Sequence, residues 1–591
     1  MMIRFPRAIR LALPIGFAST LMAAAPAEVR MPVREFDDQG YHIRLDLSRQ
    51  VIGIEIPEDQ DNDPRGSTEP PIAPTLQGMN GSFISASVLS QKAKQFDDGL
   101  YAAIELAAQN GLGKFQGKGA LLQAVAKACE SLTVVKPESP PAIVLAAGRL
   151  GNPTFPISPT AEPAVKATVA AFLGDSLRSK PIGFYTWSSA LEAIFRQDRM
   201  LQTELKGQAD IEALARAIHA NPKARATYEA YLSLISRMTN PLATDSLEGP
   251  IKQLDEGRIA PTDRPLAFFP ASRAHETDLI MRLFGDQPIP EGFSLVDEMI
   301  KRIQAGTIDL RPTQKSGWYD RQTWALEPLV IPERMPEASH LRTEPSYRKQ
   351  LLELFKGILA LTRETHIKQL LIPAPGSAAP GQEPVTIHIA PELAAEPLPT
   401  YYLRRGESYR FIRSVLEDTF GPEALRKIHR EAASGAAAMD LATELEQMQG
   451  LFLGASATVS RQLGMATEGD RTIFQRWADS MATDPDLAKD ARMMVPLFFD
   501  RGRNKTKVWV FLGWSQRPAH LWFVTPPSAE VTQNGRKVDS TKVKLDFDSR
   551  YHSLPYPVTA EIYVTKILNR DEFRRHCDRH KTRTTILENL Q

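Results

Sequence analysis

Residues 346–371 read SYRKQLLELFKGILALTRETHIKQLL. Stepping by three and four from Tyr347 meets Leu351, Leu354, Phe355, Ile358 and Leu359, the spacing of one helical face. The same step continues into Thr362, Thr365, His366 and Gln369. The other side holds Lys349, Glu353, Lys356, Glu364 and Lys368, with Glu364 one turn before Lys368, the favourable order for an exposed pair. One long helix is predicted, with an inward face that turns from apolar to polar near residue 362. Inward polar groups need partners, because each one left unpaired costs about 1–3 kcal/mol. A hydrogen-bond network tying the helix to a neighbour meets that need, and is the commoner solution. The polar lining of a cleft meets it too.

Just upstream, residues 316–327 read SGWYDRQTWALE. Trp318, Tyr319 and Trp324 stand beside Asp320. Flat rings stack on sugars, and paired carboxylates flank a scissile glycosidic bond. The bland reading is a helix with Asp320 as its N-cap and the rings in the core. Glu327 precedes Pro328, so a helix ends or kinks there. A second amphipathic stretch follows Trp187. Ser189 with Glu192 fits a capping box, and Leu191, Ile194, Phe195, Leu201 and Leu205 share a face with Asp198 and Gln202. A buried acid pairs with a base, for which Arg273, Arg363 and Arg404 are candidates. The alternative for Asp198 is a catalytic acid with a raised pKa.

Helical spacing recurs from 83 to 500, as in 100–108, 121–129, 211–218, 228–238 and 441–452. Ser294 with Asp297 marks a further helix start. After residue 501 the period becomes two: Val508, Val510 and Leu512; Leu521 and Phe523; Val543, Leu545 and Phe547; Ile562 and Val564. Asn534-Gly535 is a hairpin turn signal. An antiparallel β-sandwich domain is expected over 501–568, followed by a helix and tail over 569–591. At the other end, 41–47 and 51–56 alternate and are read as a hairpin within 28–56. Pro, Asp, Gly and Ser dominate 57–82, read as a linker. The predicted fold is mainly α: a large multi-helix domain, toroid-like with a site at its mouth, plus a small C-terminal β-sandwich.

The chain has 591 residues and a net charge of +1, which argues against nucleic-acid binding. Arg4, Arg7 and Arg10 precede an apolar run over 11–25 and the small-x-small site at Ala25 to Ala27. Residues 1–27 are read as a signal peptide, so the mature protein is expected to be exported, periplasmic or extracellular, and soluble without a membrane span. Cys129 and Cys577 are the only cysteines; a bridge between them would join the helical body to the C-terminus. No HExxH, GxSxG or P-loop pattern occurs, and no metal or cofactor is expected.

The phrases SGWYDRQTWALE (316–327), RETHIKQL (363–370) and EPLPTYYLRRGESYRF (396–411) resemble segments of large exported bacterial proteins of uncharacterised activity. The resemblance covers the middle of the chain. It implies a shared fold and carries no catalytic residue across.

Two functions remain open, with no oligomeric state implied by either. One is an exported hydrolase or lyase acting on a polysaccharide or cell-envelope polymer. Its acid–base groups would be Asp198, Asp320, Glu327 and His366, its stacking surface Trp187, Trp318 and Tyr319, with Thr362, Arg363 and Gln369 completing the site. The other is a non-catalytic envelope protein that binds a glycan or a protein partner, with the β domain as its docking module. A substrate-binding protein for transport is disfavoured, because the two-lobed α/β pattern is missing.

Overall fold

The 346–371 stretch forms a helix from Pro345 to His366, with proline in its first turn, where its missing N–H costs nothing. Leu351, Leu354, Phe355 and Leu359 are fully buried. This central helix runs between the Ala86–Asn110 helix and a β-sheet. The computed structural model describes residues 32–590, apart from 39, 58–70, 80–82, 130–134, 258–259, 262–263, 286, 291, 372–390, 430–438, 540–542 and 544. The signal-peptide reading at 1–27 lies outside the described residues, as does much of the linker at 57–82.

Among the described residues nine strands form two sheets. The strands are β1 (Val33–Asp38), β2 (Tyr41–Asp46), β3 (Val51–Glu55), β4 (Leu341–Thr343), β5 (Met493–Asp500), β6 (Lys505–Thr525), β7 (Ser528–Gln533), β8 (Arg536–Lys537) and β9 (Arg550–Val564). The large sheet is built on β6. Along one edge β9 pairs with it from Thr506↔Val564 to Leu521↔Arg550. Along the other, β5 takes the near end and β3 the far end, and β4 adds to β3 in parallel. The small sheet has the order β1-β2-β7-β8. Asn534 and Gly535 turn β7 into β8 with φ of +50° and +74°, both in the left-handed region that a tight hairpin requires.

The prediction of a mainly helical domain with an appended sandwich is overturned. The described residues are 52% helix and 17% strand, and the large sheet is mixed. The two segments read as one N-terminal hairpin do not pair with each other: β2 pairs with β1 and β7, whereas β3 pairs with β4 and β6. The physical reason lies in β6. Val508 through Leu512 is buried on both faces. Trp509 and Phe511 face the helical body, while Val508, Val510 and Leu512 pack on Phe573, Cys577 and Ile586 of the last two helices, Arg570–His580 and Arg583–Glu588. A strand apolar on both faces calls for cover on each side, not for one inner face of a sandwich. The central helix fills the middle of the body, where a toroid would be open.

Other expectations shift in smaller ways. Residues 543 and 545–549 form no strand; Leu545 and Phe547 pack beside the sheets without joining a ladder. Ala73, from the region read as linker, exchanges two backbone hydrogen bonds with Trp514, and Leu76 is fully buried. Cys129 and Cys577 are free and lie in separate apolar clusters. Ser294 caps Leu295–Gln304 by accepting from the Asp297 N–H. No helix among the described residues is long and apolar enough to cross a membrane.

Gly357 sets the contact between the central helix and the sheet. A Cβ there would lie 2.3 Å from Pro557 Cγ on β9. Gly357→Val is expected to force the two layers apart and cost about 1–3 kcal/mol, the usual range for overpacking. Thermal melting checks this; an unchanged melting temperature would mean that β9 gives way freely.

Candidate functional site

Two helices meet along polar faces. From Ala86–Asn110 come Lys94, Asp97, Asp98, Tyr101 and Glu105, spaced to share one side and all buried. From the end of the central helix and the turn after it come Arg363, Glu364, Thr365, His366, Lys368 and Gln369, each at most 3% exposed. Glu364 and Lys368 are therefore not the surface pair that their spacing suggested. The helix is buried all round at this level, and the two residues enter different networks.

The first network holds two cations and two carboxylates. Lys94 Nζ lies 2.6 Å from Asp98 and 2.5 Å from Glu364. Arg570, from the far end of the chain, reaches Asp98 at 2.7 Å and Glu364 at 2.5 Å. Thr365 donates to Asp98 at 2.6 Å. The second network is also balanced. Lys368 reaches Glu105 at 2.5 Å and Asp198 at 2.6 Å, and Lys118 reaches Asp198 at 2.5 Å and Glu105 at 3.5 Å. The hydroxyl of Tyr185 donates to Glu105 and that of Tyr231 to Asp198. Neutrality within each group is what makes such burial tolerable, because an unpaired buried ion costs several kcal/mol.

His366 sits between these networks in a directed chain of hydrogen bonds. Gln322 donates its amide N–H to Asp97 at 3.0 Å, which leaves its carbonyl oxygen 2.9 Å from His366 Nε2. That nitrogen therefore carries the proton, and Nδ1 accepts from Thr239 at 3.1 Å. Tyr101 completes the chain, 2.7 Å from the Thr239 hydroxyl. Asp97 is paired with Arg405 and also accepts from Tyr409. Burial, with Lys94 and Arg405 adding to it, pushes the imidazole pKa well below its ordinary value. Its two nitrogens are occupied, it is neutral, and it is fully buried.

The predicted acid–base groups do not converge. Burial would raise the Asp198 carboxyl, but Lys118 and Lys368 outweigh it and hold the pKa at about 2, so it has no proton to give at neutral pH. Its partners are these lysines, not the three arginines expected. Asp320 lies in the first turn of Trp318–Trp324, whose N-cap is Gly317, so it is no cap itself. It accepts from Asn240 at 2.7 Å and has His275 at 3.5 Å. Glu327 opens the next short helix and is held by Arg404 at 2.7 Å. Glu396 is a buried acid whose pKa burial does raise, despite hydrogen bonds from Ala86 N–H, Tyr347 and Tyr556; it is wholly enclosed.

The binding candidates divide likewise. Trp318 and Tyr319, read as a stacking surface, are fully buried and pack on the His366 ring at 5.5 and 5.2 Å. Trp187 is the exposed member, at 36%. Tyr319 and Arg363 both bond to the buried Glu276. Thr362 bonds back to the Ile358 carbonyl of its own helix, and Gln369 accepts from Gln202. The helix expected to start at Ser189 is capped by Ser188. Lys94, Asp98 and Glu105 escaped the sequence reading. Their signal is the step of three or four that runs 94, 98, 101, 105 through Tyr101, with Phe96 and Leu100 on an adjacent row, which leaves the helix no fully polar side to give to water.

Open space lies elsewhere. A groove of about 630 Å³ runs between the two sheets. Phe36, Ile43, Leu45, Phe523 and Phe547 line it, together with Arg34, Arg461, Arg471 and Arg550. Glu392 links its walls, 2.9 Å from Arg34 and 3.5 Å from Arg550. No cluster of three or more potential metal-ligating side chains occurs among the described residues. Comparison with family models, curated proteins and solved structures finds no match.

Proposed function

We propose that this protein is a non-catalytic binding protein of the cell envelope, exported by the leader at 1–27, whose partner is a protein segment. The observation that carries this reading is the closure of each acid–base candidate. Asp198 is held by two lysines, Glu327 by Arg404, and His366 through both nitrogens, while Asp320 is engaged by Asn240. A glycosidase needs two carboxylates about 5–10 Å apart across an open cleft. The buried positions of Trp318 and Tyr319 favour a protein over a sugar polymer. So does the groove between the sheets, whose apolar floor is rimmed by charges of both signs, four arginines with Asp38, Glu392, Asp546 and Asp548, the layout of an apolar centre with a polar rim. β1 borders that groove as an edge strand of the small sheet, a position at which an extended segment can add.

The test is a panel of polysaccharides and cell-wall polymers scored for new reducing ends and for unsaturated products. No product above the blank is expected, for the native chain or for Asp320→Asn. Product that Asp320→Asn or Asp198→Asn abolishes would overturn the reading and restore the hydrolase or lyase.

A further inference from the structure

The last two helices meet at a corner crowded with cations that the buried networks do not use. Arg575 and Arg579 stand one turn apart on the Arg570–His580 helix. Lys581 makes the corner with φ of +60°, and Arg583 opens the following helix. All four are exposed, and among the described residues none of them takes part in an ion pair. Their neighbours differ. Arg570 is committed to Asp98 and Glu364, and Arg574 faces Asp490 at 3.7 Å. Asp578, the acid inside the run, is taken at 2.8 Å by Arg492 from outside it. Four cations are thus left without counter-charge in a chain whose net charge is only +1.

The corner is also firmly placed. Phe573, Cys577 and Ile586 bury its inner side against β6. His576 donates its Nε2–H to the Ile586 carbonyl at 3.0 Å, which ties the two helices together. Residues 574–590 contain no Phe, Tyr or Trp, the rings of His576 and His580 face each other at 4.5 Å, and the large exposed apolar residues lie elsewhere. What the corner offers is fixed positive charge without a wedge to insert.

We propose that this corner docks electrostatically on an anionic phospholipid surface. Clustered Lys and Arg side chains are drawn to anionic headgroups within a screening length of the bilayer, and several together are needed for stable attachment. Guanidinium groups add bidentate hydrogen bonds to phosphate. Nucleic acid is disfavoured by the absence of Phe, Tyr and Trp and by the near-zero total charge. The proposal is independent of how the groove between the sheets is used.

The test is co-sedimentation of the full chain with vesicles. One set is an equimolar mixture of phosphatidylglycerol and phosphatidylcholine, the other phosphatidylcholine alone. The native chain is expected to bind the anionic set at low ionic strength and to be released at about 1 M salt, where the screening length is about 3 Å. The variant R575Q/R579Q/K581Q/R583Q gives up one exposed hydrogen bond, from Arg579 to the Arg575 carbonyl, and should melt as the native chain does. Its partitioning should fall at least about tenfold, since each charge acts separately. Both proteins share residues 1–31, so any attachment through that segment, apolar or through Arg4, Arg7 and Arg10, is common to the two and cancels in their difference. Equal salt-sensitive binding by the two proteins would overturn the proposal, and so would failure of the native chain to bind anionic vesicles. Binding to soluble dextran sulfate without binding to vesicles would overturn the lipid in favour of an anionic polymer.

Discussion

Arg570→Met is expected to cost about 3–5 kcal/mol, the range seen when one partner is removed from a buried ion pair. The substitution keeps an unbranched apolar stem of similar length. It leaves Asp98 and Glu364, 0% and 2% exposed, to share Lys94 as their single cation. Arg570 is itself only 10% exposed, so water reaches the vacated position poorly. It also anchors the start of the last long helix to the body, which makes the loss felt at both ends of the chain. Arg570→Lys should recover part of the loss, because it restores the charge without the fork that now meets two carboxylates. Calorimetric melting of the three proteins decides it. A loss below about 1 kcal/mol for Arg570→Met would place the pair in the range of solvated ion pairs.

Lys368→Met should be as damaging, and its cost should depend on pH. Lys368 bridges Glu105 and Asp198; without it the two acids share Lys118. In the native protein the folded pKa of Asp198 is about 2, below the ordinary value of about 4. Its contribution to stability is thus fully present above about pH 4 and is lost as the pH falls through about 2. In the variant one of the opposing effects is gone, the carboxyl pKa rises, and protonation relieves the imbalance sooner. The variant should lose about 3–5 kcal/mol at neutral pH and less near pH 4. Lys368→Met combined with Glu105→Gln restores charge balance and should regain most of the loss at neutral pH. A double variant no better than the single one would show that lost packing, and not uncompensated charge, sets the cost.

Both predictions rest on residues whose importance was only half visible in the chain. The apolar-to-polar change near residue 362 was legible, and Thr365, His366 and Gln369 do point inward. Glu364 and Lys368 were not, because their spacing suits a surface pair equally well. Local spacing states which residues share a side of a helix. It does not state how many sides a neighbour covers, and here the Ala86–Asn110 helix, the Gly183–Trp187 turn and the Arg570 side chain surround the end of the central helix. The same limit applied to β6. Its alternation was correct on each face, but the cover for those faces comes from a helical body on one side and the last two helices on the other.

The sequence by itself determined the helical spacing, the cap at Ser294, the period-two alternation after residue 501, the hairpin turn at Asn534-Gly535 and the polarity of the central helix. These depend on contacts within a few residues, or on a period that repeats along one segment. Tertiary structure decided the sheet order, the separation of β2 from β3, and the identity of every buried charge partner. Asp98 and Arg570 are 472 positions apart, and Lys368 and Asp198 are 170 apart. A carboxylate in a protein interior requires some cation, and many in this chain would serve; only the packing of distant segments selects one.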